Sequence, residues 1–173
     1  MDRIVVVGSA GAGKSTLVQR LSEILNLPAI HLDKYYWQPG WVATPNEEWD
    51  RLVEGMVKEP RWIIDGNYSR TMDLRLARAD MVIYLDIPRW RCMYRIFKRR
   101  IMYHKKSRPD MNEGCQEKID LPFIKWVWNY PKRGRLGTLQ KLEQMRDRTN
   151  VIIVRTPKEV DALIQQIEDK KRR

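Results

Sequence analysis

The chain has 173 residues, 43% of them hydrophobic, and 33 Lys/Arg against 22 Asp/Glu give a net charge of +11. That length supports one domain with a sizeable core, and no run approaches the roughly 20 apolar residues of a membrane-spanning helix. Cys92 and Cys115 lack C-x-x-C spacing and no apolar leader precedes the first strand, so a cytoplasmic protein with reduced thiols is expected.

Ile4–Val7 is a short β-branched run that reads as a buried strand. Gly8-Ser9-Ala10-Gly11-Ala12-Gly13-Lys14-Ser15-Thr16 follows at once and satisfies the phosphate-binding pattern G-x-x-x-x-G-K-[ST] at every fixed position. Leu17, Val18, Leu21, Ile24 and Leu25 then recur at helical spacing and predict a helix over 15–26. Strand, loop and helix together are the context that the motif requires. Glycines let the backbone turn tightly and aim successive N–H groups at phosphate oxygens, and the helix adds its positive end. Gly8 through Thr16 are therefore expected around the phosphates of ATP, with Lys14 on the β/γ-phosphates and the Ser15 hydroxyl on Mg²⁺. The competing reading of the segment is a plain strand-to-helix turn.

Ala29–Leu32 is the second strand. Asp33 follows it, where a carboxylate can hold an acceptor hydroxyl, take its proton, or merely cap the next segment. Residues 34–60 read as an acceptor-side insert, with Tyr35, Tyr36, Trp37, Trp41 and Trp49 either lining a pocket or forming a small core. Pro45-Asn46-Glu47-Glu48 starts a helix over 46–58 with acids in its first turn.

The third strand, Trp62–Ile64, runs into Asp65-Gly66-Asn67-Tyr68-Ser69-Arg70-Thr71. An acid ending a strand beside a phosphate-binding loop is the usual second partner of Mg²⁺, which selects Asp65. The planar fork of Arg70 suits an incoming phosphate. Arg75 and Arg78, on a helix expected over 70–78, read more as a solvated face.

Met81–Leu85 is the fourth strand, and a basic helix over 89–104 follows. Its Arg91, Arg95 and Arg99 fall at four-residue steps, flanked by Lys98 and Arg100. Like charges stacked this way repel, so the stripe points to an anion. Between Arg89 and Arg148 there are 17 Lys/Arg against 6 Asp/Glu, which places the whole surplus charge in this block. The anion is either the phosphates of a small substrate or a nucleic-acid backbone.

Lys105–Asp110 reads as a loop. Phe123–Arg133 then interleaves aromatic and basic residues, as binders of single-stranded nucleic acid do; the alternative is a helix packing Phe123, Trp126, Val127 and Tyr130 inward. Helical stretches are expected near 117–128 and over 134–148. The fifth strand, Val151–Val154, leads to Arg155, placed to border the nucleotide base, and to a helix over 158–170. This alternation predicts an α/β fold of three layers, a five-stranded mainly parallel sheet with helices on both faces. Ligands in such folds bind beyond the carboxyl ends of the strands.

On these residues the chain resembles the adenylate-kinase-like family of P-loop nucleoside monophosphate kinases. Asp65, Gly66 and Arg70 match its Asp-Gly-x-x-x-Arg type segment, and Tyr94-Arg95-Ile96-Phe97-Lys98-Arg99-Arg100 is similar to its arginine-rich helix before the lid. His31-Leu32-Asp33, Trp37, Pro39-Gly40-Trp41, Trp62–Tyr68 and Arg108-Pro109-Asp110 look like the bacterial DNA topology modulation protein group. The resemblance implies one P-loop kinase-like domain over residues 1–173, a basic helical lid over about 103–133, and Mg²⁺-ATP-dependent transfer to a small acceptor, with a nucleotide among the candidates. It implies catalytic roles for Lys14, Arg95, Arg99, Arg100 and Asp33, and nucleotide contacts from Arg95 and Arg155. Asp33, Asn67 and Arg70 would bind the acceptor, and Ser15 and Asp65 the metal. One departure stands out: adenylate kinases carry an arginine shortly after the second strand for the AMP phosphate, and Asp33-Lys34-Tyr35-Tyr36-Trp37 has none. That suits a hydroxyl acceptor with Asp33 as base. The rival expectation is an ATP-regulated nucleic-acid-binding protein that affects DNA topology, supported by the localised charge and the aromatic-basic stretch.

Overall fold

The computed structural model describes residues 1–103, 111, 115 and 119–172. Strand β1 (Arg3–Gly8) passes through the glycine-rich loop into α1 (Lys14–Leu25) and returns as β2 (Ala29–His31). A short α2 (Leu32–Tyr36), a hairpin of β3 (Trp37–Gln38) and β4 (Val42–Ala43), and α3 (Asn46–Lys58) come next. Then follow β5 (Trp62–Asp65), a 3-10 turn at Ser69–Thr71, α4 (Met72–Leu76), β6 (Met81–Leu85) and α5 (Arg89–Met102). The chain ends with α6 (Leu121–Met145), β7 (Asn150–Val154) and α7 (Pro157–Arg172).

The main sheet has the order β2-β5-β1-β6-β7, and every neighbouring pair is parallel. Its central strand explains why the first hydrophobic run does not alternate: Ile4, Val5, Val6 and Val7 are all 0% exposed, as expected when helices cover both faces. Ile4 and Val6 pack with Leu17, Val18 and Leu21 of α1, Ile96 of α5 and Ile164 of α7. Val5 and Val7 pack on the other face with Trp49 and Val53 of α3, Leu76 of α4 and Leu142 of α6. Side chains two residues apart thus serve the same layer, the period of an extended strand.

The five strands lie where the sequence puts them, to within one or two residues. Three elements differ. The stretches expected near 117–128 and over 134–148 are one continuous 25-residue helix with Pro131 inside it. Val127 and Tyr130 before the proline, and Leu142 beyond it, are all buried, so tertiary packing holds the helix together across a residue that removes one of its hydrogen bonds. The segment expected as a helix over 70–78 is split into the 3-10 turn and α4. Neither α2 nor the β3–β4 hairpin was expected; Gly40, at φ 79°, makes the turn between the two strands. Of the expected lid, residues 104–110, 112–114 and 116–118 lie outside the described residues, as do His104 and Arg108-Pro109-Asp110. Among the described residues no helix is long and apolar enough to cross a membrane.

Candidate functional site

The site forms where β1 and β5 end, side by side at the carboxyl edge of the sheet. Gly11 has φ 76°, and a Cβ there would sit 2.4 Å from the Cys92 carbonyl oxygen. The loop between β1 and α1 can press this closely on the first turn of α5 only because residue 11 lacks a side chain. Gly8 meets the same constraint from β6, since its Cβ would lie 2.7 Å from the Leu85 oxygen.

Lys14 lies folded along the loop. Its Nζ donates to Gly8 O at 2.9 Å and to Ser9 O at 3.1 Å. Burial lowers its pKa below the ordinary lysine value, the carboxylates of Asp65 and Asp33 oppose that, and the Arg99 guanidinium adds to it. Asp65, Asp33 and Arg99 thus all act electrostatically on one ammonium group. Arg95 crosses the loop from α5 and donates from Nη1 to Ala12 O at 2.7 Å. Arg91, Arg95, Arg99 and Arg100 are half-buried, while Trp90, Tyr94, Phe97 and Ile101 of the same helix are exposed. The arginine stripe therefore faces into the protein and an apolar stripe faces out. Ser15 is half-buried and Thr16 exposed in the first turn of α1.

Asp65 ends β5 and is only 4% exposed. Its Oδ2 is 3.0 Å from Nδ1 of His31, the residue paired with it in the β2–β5 register. The parallel pairing itself thus aligns the two side chains, a signal that becomes visible once both strand ends are known. Beyond Asp65, the Gly66 N–H donates to Val6 O at 3.2 Å. Asn67 then turns its side-chain amide onto the glycine-rich loop: Gly8 N–H donates to Oδ1 at 2.9 Å, and Nδ2 donates to Gly8 O at 2.6 Å. An acceptor contact was expected of Asn67; both of these bonds go to the loop.

The arginines of this segment also differ from expectation. Arg70 is exposed and forks onto Asp50 of α3, with Nε–Oδ1 at 2.8 Å and Nη2–Oδ2 at 2.6 Å. Arg75, expected on a solvated face, is 0% exposed. It donates to Gly66 O at 2.8 Å, Tyr68 O at 2.9 Å and Thr71 O at 3.3 Å. Burial pulls its pKa down to about 10 against the attraction of Asp65, so it remains a cation at neutral pH. The 3-10 turn breaks the expected helical face and rotates Arg75 inward; Arg78 alone of the pair is exposed.

Asp33 is half-buried in the first turn of α2 and accepts a hydrogen bond from the Tyr68 hydroxyl at 2.6 Å. Burial, then the charge of Asp33, pushes the Tyr68 pKa well above its usual value, which keeps that hydroxyl a donor. Tyr68 joins an aromatic cluster in which its ring lies 4.6 Å from Tyr36 and 4.9 Å from Trp49, with Tyr36–Trp37 at 4.9 Å and Trp37–Trp41 at 5.6 Å. Trp49 is buried core, Trp37 and Trp41 are half-buried, and the Cys115 thiol donates to Trp37 O and Gln38 O, so the insert is an aromatic core with a half-buried edge.

Asp86, just past β6, is held by both arms of Arg135 from α6, at 2.7 and 2.8 Å. Arg155 stands 3.5 Å from the same carboxylate, and its backbone N–H donates to Glu159. The structure thus gathers Lys14, Arg95, Arg99, Asp33 and Asp65 at one mouth and ties Arg70 and Arg155 to acids elsewhere. Ser15 in the first turn of α1 and Asp65 at the end of β5 carry hard oxygen donors, a set whose chemistry fits Mg²⁺, which favours one or two carboxylates.

No family model matches the chain. It is 26% identical over 135 residues to the uncharacterized protein YqaC of Bacillus subtilis (strain 168), covering 76% of this chain and 74% of that protein. Its structure is similar to the crystal structure of a "putative kinase" from Chloroflexus aurantiacus, with a TM-score of 0.53, 15% identity, and 97% of each chain covered. At that identity the likeness is one of fold. The chain has a kinase-like α/β fold built on a five-stranded parallel sheet.

Proposed function

We propose that the protein is a Mg²⁺-ATP-dependent phosphotransferase of the adenylate-kinase-like P-loop type, acting on a small-molecule acceptor. The observation that carries this reading is the glycine-rich loop, crossed by Lys14 and Arg95 and faced by Asp65 and Asp33 within range of the same ammonium. Loop N–H groups and the amino end of α1 bind the phosphates. Lys14 exchanges the carbonyls of Gly8 and Ser9 for the β/γ-phosphate oxygens. Ser15 and Asp65 hold Mg²⁺, which neutralises phosphate charge when bound. Arg95, Arg99 and Arg100 stabilise the charge that spreads over the equatorial oxygens during γ-phosphoryl transfer. Arg155 borders the base. The insert of 34–60 supplies the acceptor side of a single cytoplasmic domain. The fold likeness to a protein described as a kinase is consistent with this reading.

The test is ADP release from Mg²⁺-ATP in the presence of acceptors, with ATP affinity measured by calorimetry. Lys14→Ala abolishes turnover while circular dichroism stays native; full turnover in a folded Lys14→Ala protein refutes the assignment.

A second reading, attachment to single-stranded nucleic acid, is favoured by one surface. Trp90, Tyr94 and Phe97 of α5 and Trp126 and Trp128 of α6 are exposed, and the Arg89 guanidinium stacks 4.0 Å over Trp128. Stacking on exposed aromatics with neighbouring cations is how such strands are held. On this reading oligonucleotide affinity falls linearly on a log–log salt plot.

A further inference from the structure

We infer that the phosphoryl acceptor is a neutral alcohol carrying a ring, such as a nucleoside or a sugar, and that Asp33 is the base that takes its proton. This rests on the phosphotransferase reading above.

Three observations converge. The cations of the segment after β5 are already engaged: Arg70 is bound through two nitrogens to Asp50, and Arg75 is spent inside the protein on three backbone carbonyls. Asp33, in contrast, is a half-buried carboxylate in the first turn of α2. Its Oδ1 is fixed by the Tyr68 hydroxyl and its Oδ2 takes no hydrogen bond among the described residues. A phosphate acceptor would bring a second anion against this carboxylate, which opposes binding, and needs no base because it is already ionised. An alcohol has the reverse requirements on both counts.

The position of Asp33 is the second observation. It follows β2 at the carboxyl edge of the sheet and is bonded by Tyr68, the chain neighbour of Asn67, whose amide is paired with Gly8 at the base of the loop that carries Lys14. A hydroxyl seated against Oδ2 therefore sits beside the phosphoryl group to be transferred. The third observation is the wall next to that carboxylate: Tyr36, Trp37, Trp41 and Tyr68 form a continuous series of ring contacts. Flat aromatic faces bind the apolar face of a ring at little entropic cost.

The acceptor O–H bond breaks and its proton goes to Asp33 Oδ2. The oxygen's electron pair forms the new O–P bond to the γ-phosphorus of the nucleoside triphosphate. The bond from that phosphorus to the β,γ-bridging oxygen breaks, its electron pair stays on the β-phosphate, and the nucleoside diphosphate leaves. Tyr68 is a positioning residue, because it holds Asp33 and does not touch the proton.

Transfer from γ-labelled ATP is measured to adenosine, thymidine and D-ribose in one set and to AMP, dTMP and CMP in the other, with each product's phosphorylated atom identified. The expected result is a phosphate ester of at least one neutral alcohol. Asp33→Asn lowers kcat on it by about 10³-fold, the scale of lost general-base catalysis, with ATP affinity by calorimetry unchanged to within about twofold. Tyr68→Phe, which keeps the ring, lowers kcat about tenfold and leaves the acceptor KM unchanged. Diphosphate formed from the monophosphates, no ester from any of the three alcohols, or full activity in Asp33→Asn overturns the inference. Failure of the wild-type protein to bind ATP in the calorimeter overturns the phosphotransferase reading itself.

Discussion

Replacing Arg75 by methionine tests whether the segment after β5 is held from inside. The guanidinium is fully buried and reaches the carbonyls of Gly66, Tyr68 and Thr71. Tyr68 O also accepts the Thr71 N–H at 3.3 Å, so Gly66 O suffers most from the loss. One stranded carbonyl costs about 2 kcal/mol and each further lost bond to a charged donor about 1.5 kcal/mol net. Relief from burying the cation offsets part of this, leaving a loss of about 3 kcal/mol. For a chain of this length that lowers Tm by about 6–12 °C. Urea and thermal unfolding followed by circular dichroism measure it, with exposed Arg78→Ala as a control expected within about 0.5 kcal/mol of wild type. Arg75→Lys, a point charge in place of a fork, falls between. A loss under about 1 kcal/mol for Arg75→Met would refute the idea that this arginine braces the segment.

Gly11→Ala forces a Cβ to 2.4 Å from the Cys92 carbonyl, so the loop must move and ATP affinity measured by calorimetry falls at least about tenfold. Asn67→Ala removes both bonds to Gly8 and weakens ATP binding by about tenfold, with a smaller effect on Tm. Lys14 gives a pH signature. Its pKa is lowered in the folded protein by burial and ordinary when unfolded, so the unfolded chain binds more protons between the two values. Stability contributed by this group therefore rises with pH over that window, while ATP affinity falls as the ammonium is lost. Urea unfolding and calorimetry at pH values stepping down from the ordinary lysine pKa of about 10.4 read both slopes, and Lys14→Met flattens each.

The parts of this molecule that were legible in the sequence are those in which local pattern and tertiary environment agree. The uninterrupted β-branched run at Ile4–Val7 suits the centre of a covered sheet, and the three glycines before Lys14 suit the tight turn found there, each at positive φ. Arginine fates were not legible. Arg70 and Arg75 lie five residues apart in one polar segment, yet one pairs with Asp50 at the surface and the other disappears beneath the backbone. Between them lies a single 3-10 turn, Ser69–Thr71, that interrupts the helical face the sequence suggests. The partners His31 and Asn67 were equally hidden, because their contacts follow from strand register, which no single-strand pattern encodes. Pro131 illustrates the opposite failure, a strong local stop signal overridden by buried neighbours on either side.

The amide of Asn67 copies a piece of main chain. The ladder between β5 and β1 runs out at Gly66, and the side chain then supplies the donor and acceptor that a further strand residue would have given to Gly8. Residue 67 thus acts as a splint between the glycine-rich loop and the segment after β5. Asn67 and Tyr68, side by side in the chain, tie Gly8 at one end to Asp33 at the other. A displacement of either end therefore loads the other through one short piece of main chain.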